Sequence, residues 1–174
     1  MASDPFLVAL RFLHVLSGVF WAGAAFVLAG FVVRGPERSS EADGRFIGQM
    51  MLERRLSYTL VISAVVAIGS GVGLFRKFFA HAKWDWSHPA PNEAYAIGFF
   101  AAAAAFLVMI GLGIPVGMAL RRCRNAIDAT GGRATQPLNV EHARLVRRNA
   151  WVWRSTAALL FVTVTTMAVG RYIF

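Results

Sequence analysis

Leu10–Val32 reads LRFLHVLSGVFWAGAAFVLAGFV, a run in which Arg11 is the only charged residue and His14 the only other titratable one. As a helix rising about 1.5 Å per residue it would be roughly 34 Å long, enough to cross a hydrocarbon layer of roughly 30 Å. An imidazole inside such a run is expensive to keep from water, so His14 is a functional candidate by default.

Three further runs share this character. Phe12–Val33, Leu56–Phe75, Ala94–Leu120 and Ser155–Phe174 are each about as long as a membrane span needs, and Arg171 is the only charge within them. Hydrophobic residues make up 57% of the chain and charged ones 16%, with the charges gathered between the apolar runs, which excludes an ordinary water-soluble core. The expected fold is all-α: a single domain over residues 1–174, a polytopic membrane four-helix bundle. Its helices are expected at about 6–33, 46–78, 94–122 and 140–173. The first run is too long for the apolar part of a usual signal peptide, and no Lys or Arg precedes Arg11, so it reads as a span that is kept.

The net charge of +9 invites a nucleic-acid reading, but the charge sorts by membrane side. Segments 34–55 and 121–154 hold thirteen of the eighteen Lys and Arg residues, and the N-terminus, segment 76–93 and the C-terminus hold five. Basic loops stay cytoplasmic. Both termini are therefore expected outside, in a bacterial inner membrane, with the lipid bilayer and not nucleic acid as the surrounding partner. The basic stretch Arg144–Arg154 reads first as a topology signal and a contact for anionic lipid. The lone Cys123 excludes an internal disulfide.

Local signals set the ends of the helices. Asp4-Pro5 suits a helix start, and Arg34-Gly35-Pro36 a stop. The second helix is expected to begin near Gly44 with an amphipathic turn. His81–Asn92, with Trp84 and Trp86, reads as an outer interfacial loop. Pro115 should disturb the third helix, and Gly113 and Gly117 form a G-x-x-x-G pair that permits close helix approach. Arg121–Leu138 reads as a turn-rich linker, with the fourth helix starting near Asn139.

Chemistry concentrates around His14. At about 100° per residue, Leu7, Arg11, Gly18, Trp21 and Ala25 fall within about 60° of it. Counting inward to the same depth reaches Gly69–Gly73 on the second helix, Ala101–Ala105 on the third and Met167 on the fourth. Arg171 lies one turn outside Met167, as Arg11 lies outside His14. Such a set suits a flat macrocycle: His14 and Met167 as axial ligands of iron, Gly18, Trp21, Gly69 and Gly71 as lining, and Arg11 and Arg171 toward the propionates. Three other readings of the residues stay open. His14 could serve helix packing through a hydrogen bond, a copper site or a proton relay.

Leu13-His14-Val15-Leu16-Ser17-Gly18-Val19-Phe20-Trp21-Ala22-Gly23 carries an H-x6-W-x-G spacing. It resembles the first span of a group of small bacterial membrane proteins. The group comprises the HemJ-type protoporphyrinogen oxidases, the CopD-type copper-resistance domain and the membrane domain of urate-oxidase-like cytochromes. Met51-Leu52-Glu53-Arg54-Arg55-Leu56 is similar to the second-helix entry of the HemJ type. The resemblance covers roughly residues 8–75 and implies a multihelical bundle with haem b at His14. The Pro-Arg pair that the HemJ type carries after its tryptophan is absent from Ala24–Gly30, and its third-span lysine and histidine are absent from Ala94–Leu120. Haem binding therefore carries over, and porphyrinogen oxidation does not.

The expected function is that of an integral membrane haem b protein with an electron-transfer or oxidoreductase role, its partner a quinone or a redox protein. One alternative is a non-catalytic accessory subunit of a larger membrane complex, or a homodimer, docked through the third helix. Another is CopD-like copper transport using Met50, Met51, Met109 and Met118 as soft ligands. No Ser-His-Asp set, phosphate loop or CxxC is present, so a hydrolase or ATPase is not expected. The charge asymmetry makes a direct prediction. A periplasm-dependent reporter enzyme fused after Phe174 is active and the same reporter fused within 121–138 is inactive; the reverse pattern refutes the orientation.

Overall fold

The computed structural model describes residues 4–32, 54–79, 91–131 and 135–170. Among them there is helix and no strand. α1 is Pro5–Val27, continued by a π-helical turn at Leu28–Val32. α2 is Arg54–Phe79. α3 is Pro91–Val108 and passes through a second π-helical turn, Met109–Gly113, into α4, Ile114–Ala129. α5 is Gln136–Val169. Four helices are long and apolar enough to cross a membrane: Pro5–Gly30, Leu56–Lys77, Glu93–Ala129 and Gln136–Val169.

The helices pair before they bundle. α1 lies along α2, and the α3–α4 rod lies along α5; the pairs meet mainly where α1 touches α5, while α2 and α3 touch only lightly. The shared core is made chiefly of small residues: Ala22 and Ala25 of α1, Ala64 and Ala67 of α2, Ala102 and Ala105 of α3. Trp21, Leu60, Met109 and Leu160 fill the remaining space. The large side chains face outward, with Phe12, Val19, Phe100, Leu107 and Phe161 all more than 60% exposed. Small residues inside and large apolar ones outside is the arrangement expected where lipid surrounds the helices. There, apolar side chains gain nothing by leaving the surroundings, and close backbone approach supplies the attraction.

Each pair has a definite antiparallel register. In the first, His14 lies against Gly71 and Leu10 against Gly73. In the second, Gly170 meets Ala94, Gly98 meets Thr166 and Met167, Gly113 meets Val152, and the Cys123 thiol faces the Leu138 carbonyl at 3.8 Å. Every step along α3 and α4 is thus matched by a step back along α5.

The helix start at Asp4-Pro5 is as expected: the Asp4 carboxylate accepts from the Phe6 N–H at 3.0 Å, and Pro5 occupies the first turn. Asp4 also lies 3.8 Å from Lys77 Nζ, and that ammonium sits over the Phe6 ring at 5.5 Å. The disturbance at Pro115 takes the form of the preceding π turn, where the Ile114 N–H reaches the Met109 carbonyl. A wide turn accommodates a ring that can neither donate nor fit the normal ladder.

Two boundaries differ from expectation. The third helix runs on to Ala129 instead of ending near residue 122, because a charged sequence of adequate propensity continues a helix in water as well as in lipid. It stops at Thr130 and Gly131, whose φ of 65° is a left-handed conformation that glycine adopts without strain. The fourth helix begins at Gln136 and not at Asn139, since Thr135 is the cap. Pro137 stands in the first turn, where its missing N–H costs nothing. The supposed linker 121–138 is therefore helical over most of its length. The expected start of the second helix near Gly44 and most of the expected loop His81–Asn92, with Trp84 and Trp86, lie outside the described residues; Pro91 and Asn92, the last two residues of that loop, already belong to α3.

His142 lies in the charged first part of α5, before the apolar stretch from Ser155 onward. Burial, and then the nearby Arg124 guanidinium, hold its pKa below the ordinary 6.5. The folded state therefore favours the neutral ring, and the unfolded chain binds the proton more readily. This contribution is present above about pH 6.5 and is lost as pH falls below it. Thermal stability of the purified protein should drop between about pH 7.5 and 5.5, and His142→Gln should flatten that slope. An unchanged slope rejects the assignment.

Candidate functional site

The end of the α1–α2 pair that holds the N-terminus of α1 and the C-terminus of α2 is built around the His14 ring. Its Nδ1 lies 2.8 Å from the Ala67 carbonyl oxygen. That carbonyl already serves the ladder of α2 and accepts from the Ser70 hydroxyl at 3.1 Å. A carbonyl can only accept, so the hydrogen bond places the proton on Nδ1 and leaves Nε2 as the lone-pair nitrogen. Ser70 Oγ stands 3.5 Å from the same Nδ1, at the outer limit of a contact. The ring is seated on glycine: a Cβ at Gly71 would lie 2.9 Å from His14 Cε1 and 3.2 Å from Nδ1. Any larger residue at 71 would evict the ring. His14 itself is half-buried, neither enclosed in the core nor open on all sides.

The rest of the stripe is placed as follows. Gly18, one turn inward, has no neighbour within 4 Å of where its Cβ would be, so the wall beside the histidine is open there. Trp21 is 2% exposed and meets Phe106 of α3 edge-on, with centroids 6.4 Å apart. Its indole N–H has no acceptor among the described residues. Buried donors are nearly always partnered, so this one is available to a buried water or ligand. Thr156 Oγ1, fully buried on α5, is in the same condition, whereas Ser63 and Thr163 bond back to carbonyls of their own helices. Arg11 is exposed, one turn from His14 toward the N-terminus of α1.

The remaining expected site residues are distributed. Gly71 and His14 come together, as counting by depth anticipated. Gly69, two residues earlier and so about 200° around the helix, is on the other face of α2. It lines an apolar groove of about 370 Å³ with Val65, Ile68, Ala103, Phe106 and Leu107. Gly69 and Gly71 therefore do not share one slot. Met167 packs on α3: a Cβ at Gly98 would come within 3.1 Å of its Cγ. Arg171 lies outside the described residues.

Compared with family models, curated proteins and solved structures, the chain shows no match. The chemistry of the site accordingly rests on its own residues.

Those residues offer one oriented imidazole. Among the described residues no group of three or more His, Cys, Asp or Glu side chains could hold a metal by itself. The methionines do not gather either. Met109 is buried in the core and Met118 is 49% exposed, nine residues on and so about 13 Å further along the rod, a little under half of the bilayer's hydrocarbon thickness. Met50 and Met51 lie outside the described residues. The residues that sequence reasoning passed over are Ala67 and Ser70. Their signal was present, since both lie within one turn of Gly71, but a backbone carbonyl as partner leaves no mark in residue type.

The seat can be tested by adding one methyl. Gly71→Ala forces the ring off its position and should lower stability by about 1–3 kcal/mol. Gly73→Ala meets only the flexible Cδ2 end of Leu10, at 2.9 Å, and should cost about 1 kcal/mol or less. Equal losses in the two variants, measured by denaturant unfolding in detergent, would mean that the histidine seat is not special.

Proposed function

We propose that this chain is a multi-pass protein of the bacterial inner membrane, with both termini on the outer side, that holds haem b through His14 and takes part in electron transfer. The observation that carries the reading is the His14 hydrogen bond to the Ala67 carbonyl. Histidines that ligate metals commonly donate the second ring N–H to such an acceptor, which sets the tautomer and raises the basicity of the ligating nitrogen. His14 has this arrangement at 2.8 Å, with open space beside Gly18 on the same stripe. The H-x6-W-x-G resemblance points the same way. The inside-out distribution of small and large residues and the asymmetry of the arginines support the membrane placement.

When bound, haem iron supplies one-electron redox chemistry. The protein's part is to orient and to insulate. Gly71 and Ala67 hold the imidazole in one orientation. Trp21 offers a buried N–H on the same side of α1, and Arg11, outward of His14, offers a cation for a propionate. Met167, which packs against Gly98 of α3, is the residue of α5 that would supply a thioether to the iron, and Arg171 would supply a second cation for a propionate. A quinone or a redox protein would be the electron partner.

The deciding measurement is an absorption spectrum of protein purified from cells supplied with haem. A Soret band that shifts on reduction is expected, and His14→Ala should remove nearly all of it while the protein stays helical. Gly71→Ala should reduce haem content and Gly73→Ala should leave it intact. A colourless preparation ends the haem reading and favours an accessory subunit.

A further inference from the structure

The second helix pair is too long for the bilayer. Glu93–Ala129 is 37 residues and Gln136–Val169 is 34, about 55 Å and about 51 Å at 1.5 Å per residue. The hydrocarbon layer is roughly 30 Å thick. The excess lies at one end. The outer ends are level, because Gly170 meets Ala94. The apolar part of α5 begins at Ser155, after Trp151 and Trp153, which are suited to an interface. Through the contact of Val152 with Gly113, that level corresponds to the π turn Met109–Gly113. Beyond it α4, 16 residues long, and the first part of α5 continue side by side for about 24 Å.

The headgroup layer is only about 5–8 Å deep on each side. Counted from Val152, Arg148 and Arg147 are about 6–8 Å out, at that depth. Counted from Val152 and Gly113, Arg122 and Arg144, with Arg121 and Arg124, lie about 12–17 Å out, past the headgroups, and the exposed apolar Ile114 and Met118 occupy the headgroup level between. Against the seven arginines of α4 and the basic part of α5, the hairpin carries the acids Asp128 and Glu141. Glu141 pairs with Arg144 at 3.8 Å, both side chains at least half exposed, which neutralises little. Val140, 63% exposed, stands among these charges. Arginine beside exposed apolar side chains is the composition of a protein interface, and a valine held above the headgroups gains nothing from lipid.

We propose that the paired charged ends of α4 and α5, carrying Arg121, Arg122, Arg124, Val140 and Arg144, are a docking surface for a soluble protein with an acidic face on the inner side of the membrane. The proposal rests on the membrane placement argued above and not on the haem. Positive charge raised clear of the bilayer would steer such a partner at moderate salt. Arg147 and Arg148, nearer the bilayer, serve anionic headgroups instead.

The test uses the full chain in nanodiscs of neutral phosphatidylcholine and a fluorescent glutamate oligomer of about 20 residues as the probe, followed by anisotropy at about 50 mM salt. Saturable binding is expected. Arg122→Glu with Arg144→Glu should weaken it about tenfold, and the equal charge change Arg147→Glu with Arg148→Glu less than about threefold. Replacing roughly 30% of the lipid by phosphatidylglycerol should leave probe binding within about threefold. The proposal is overturned if the probe does not bind, if the two double variants weaken it equally, or if the anionic lipid abolishes binding, which would show these ends lying on headgroups. A chain that fails to enter nanodiscs overturns the membrane placement as well, so the two failures are told apart.

Discussion

The seat of His14 on Gly71 is the contact that brings the N-terminal end of α1 and the C-terminal end of α2 together. An imidazole half-buried between apolar helices needs a partner for its N–H, and the Ala67 carbonyl, 2.8 Å away, is that partner. The geometry works only because residue 71 has no side chain. Once α1 is held this close to α2, Leu10 reaches Gly73 and the two helices share a register. The alanines Ala22, Ala25, Ala64 and Ala67 then follow inward as a close-packed seam. A single polar requirement thus selects one alignment from the several that a smooth apolar surface would allow.

The second pair is aligned differently. Its contacts are steric: Gly98 under Thr166 and Met167, Gly113 under Val152, and Gly170 under Ala94. Each places a small residue opposite a larger one, and together they hold α5 in step over its whole length. The light contact between α2 and α3 leaves the groove lined by Gly69 and Phe106. Trp21 bridges the halves from within by its edge contact to Phe106. The polar chemistry of the bundle is therefore on the α1–α2 side, whereas the charge is on the α4–α5 end.

Much of this was legible in residue order. The four apolar runs, the Asp4-Pro5 start and the depth shared by His14 and Gly69–Gly73 follow from spacing and hydropathy. Other features were not legible, for identifiable reasons. Pro137 looked like a linker residue because a first-turn proline and a loop proline are the same letter. The helix past residue 122 was missed because charge ends an apolar run but does not end a helix. Gly69 and Gly71 looked equivalent by depth, but the 200° between them sends them to different neighbours. Met167 matched His14 in depth, yet Gly98 offers it a nearer seat on α3.

By itself the sequence determined the number and character of the long apolar helices, the segments in which the arginines gather and the one imidazole placed among apolar residues. These depend on composition and on the fixed rise and turn of a helix, which are local. Only the tertiary structure decided which nitrogen of His14 is engaged, which glycine receives its ring and which lines a groove. It also decided how far the α4–α5 hairpin stands beyond the apolar part of the bundle. Those outcomes depend on which faces of separate helices meet and in what register, and the partner atoms, often backbone carbonyls, have no identity in the sequence.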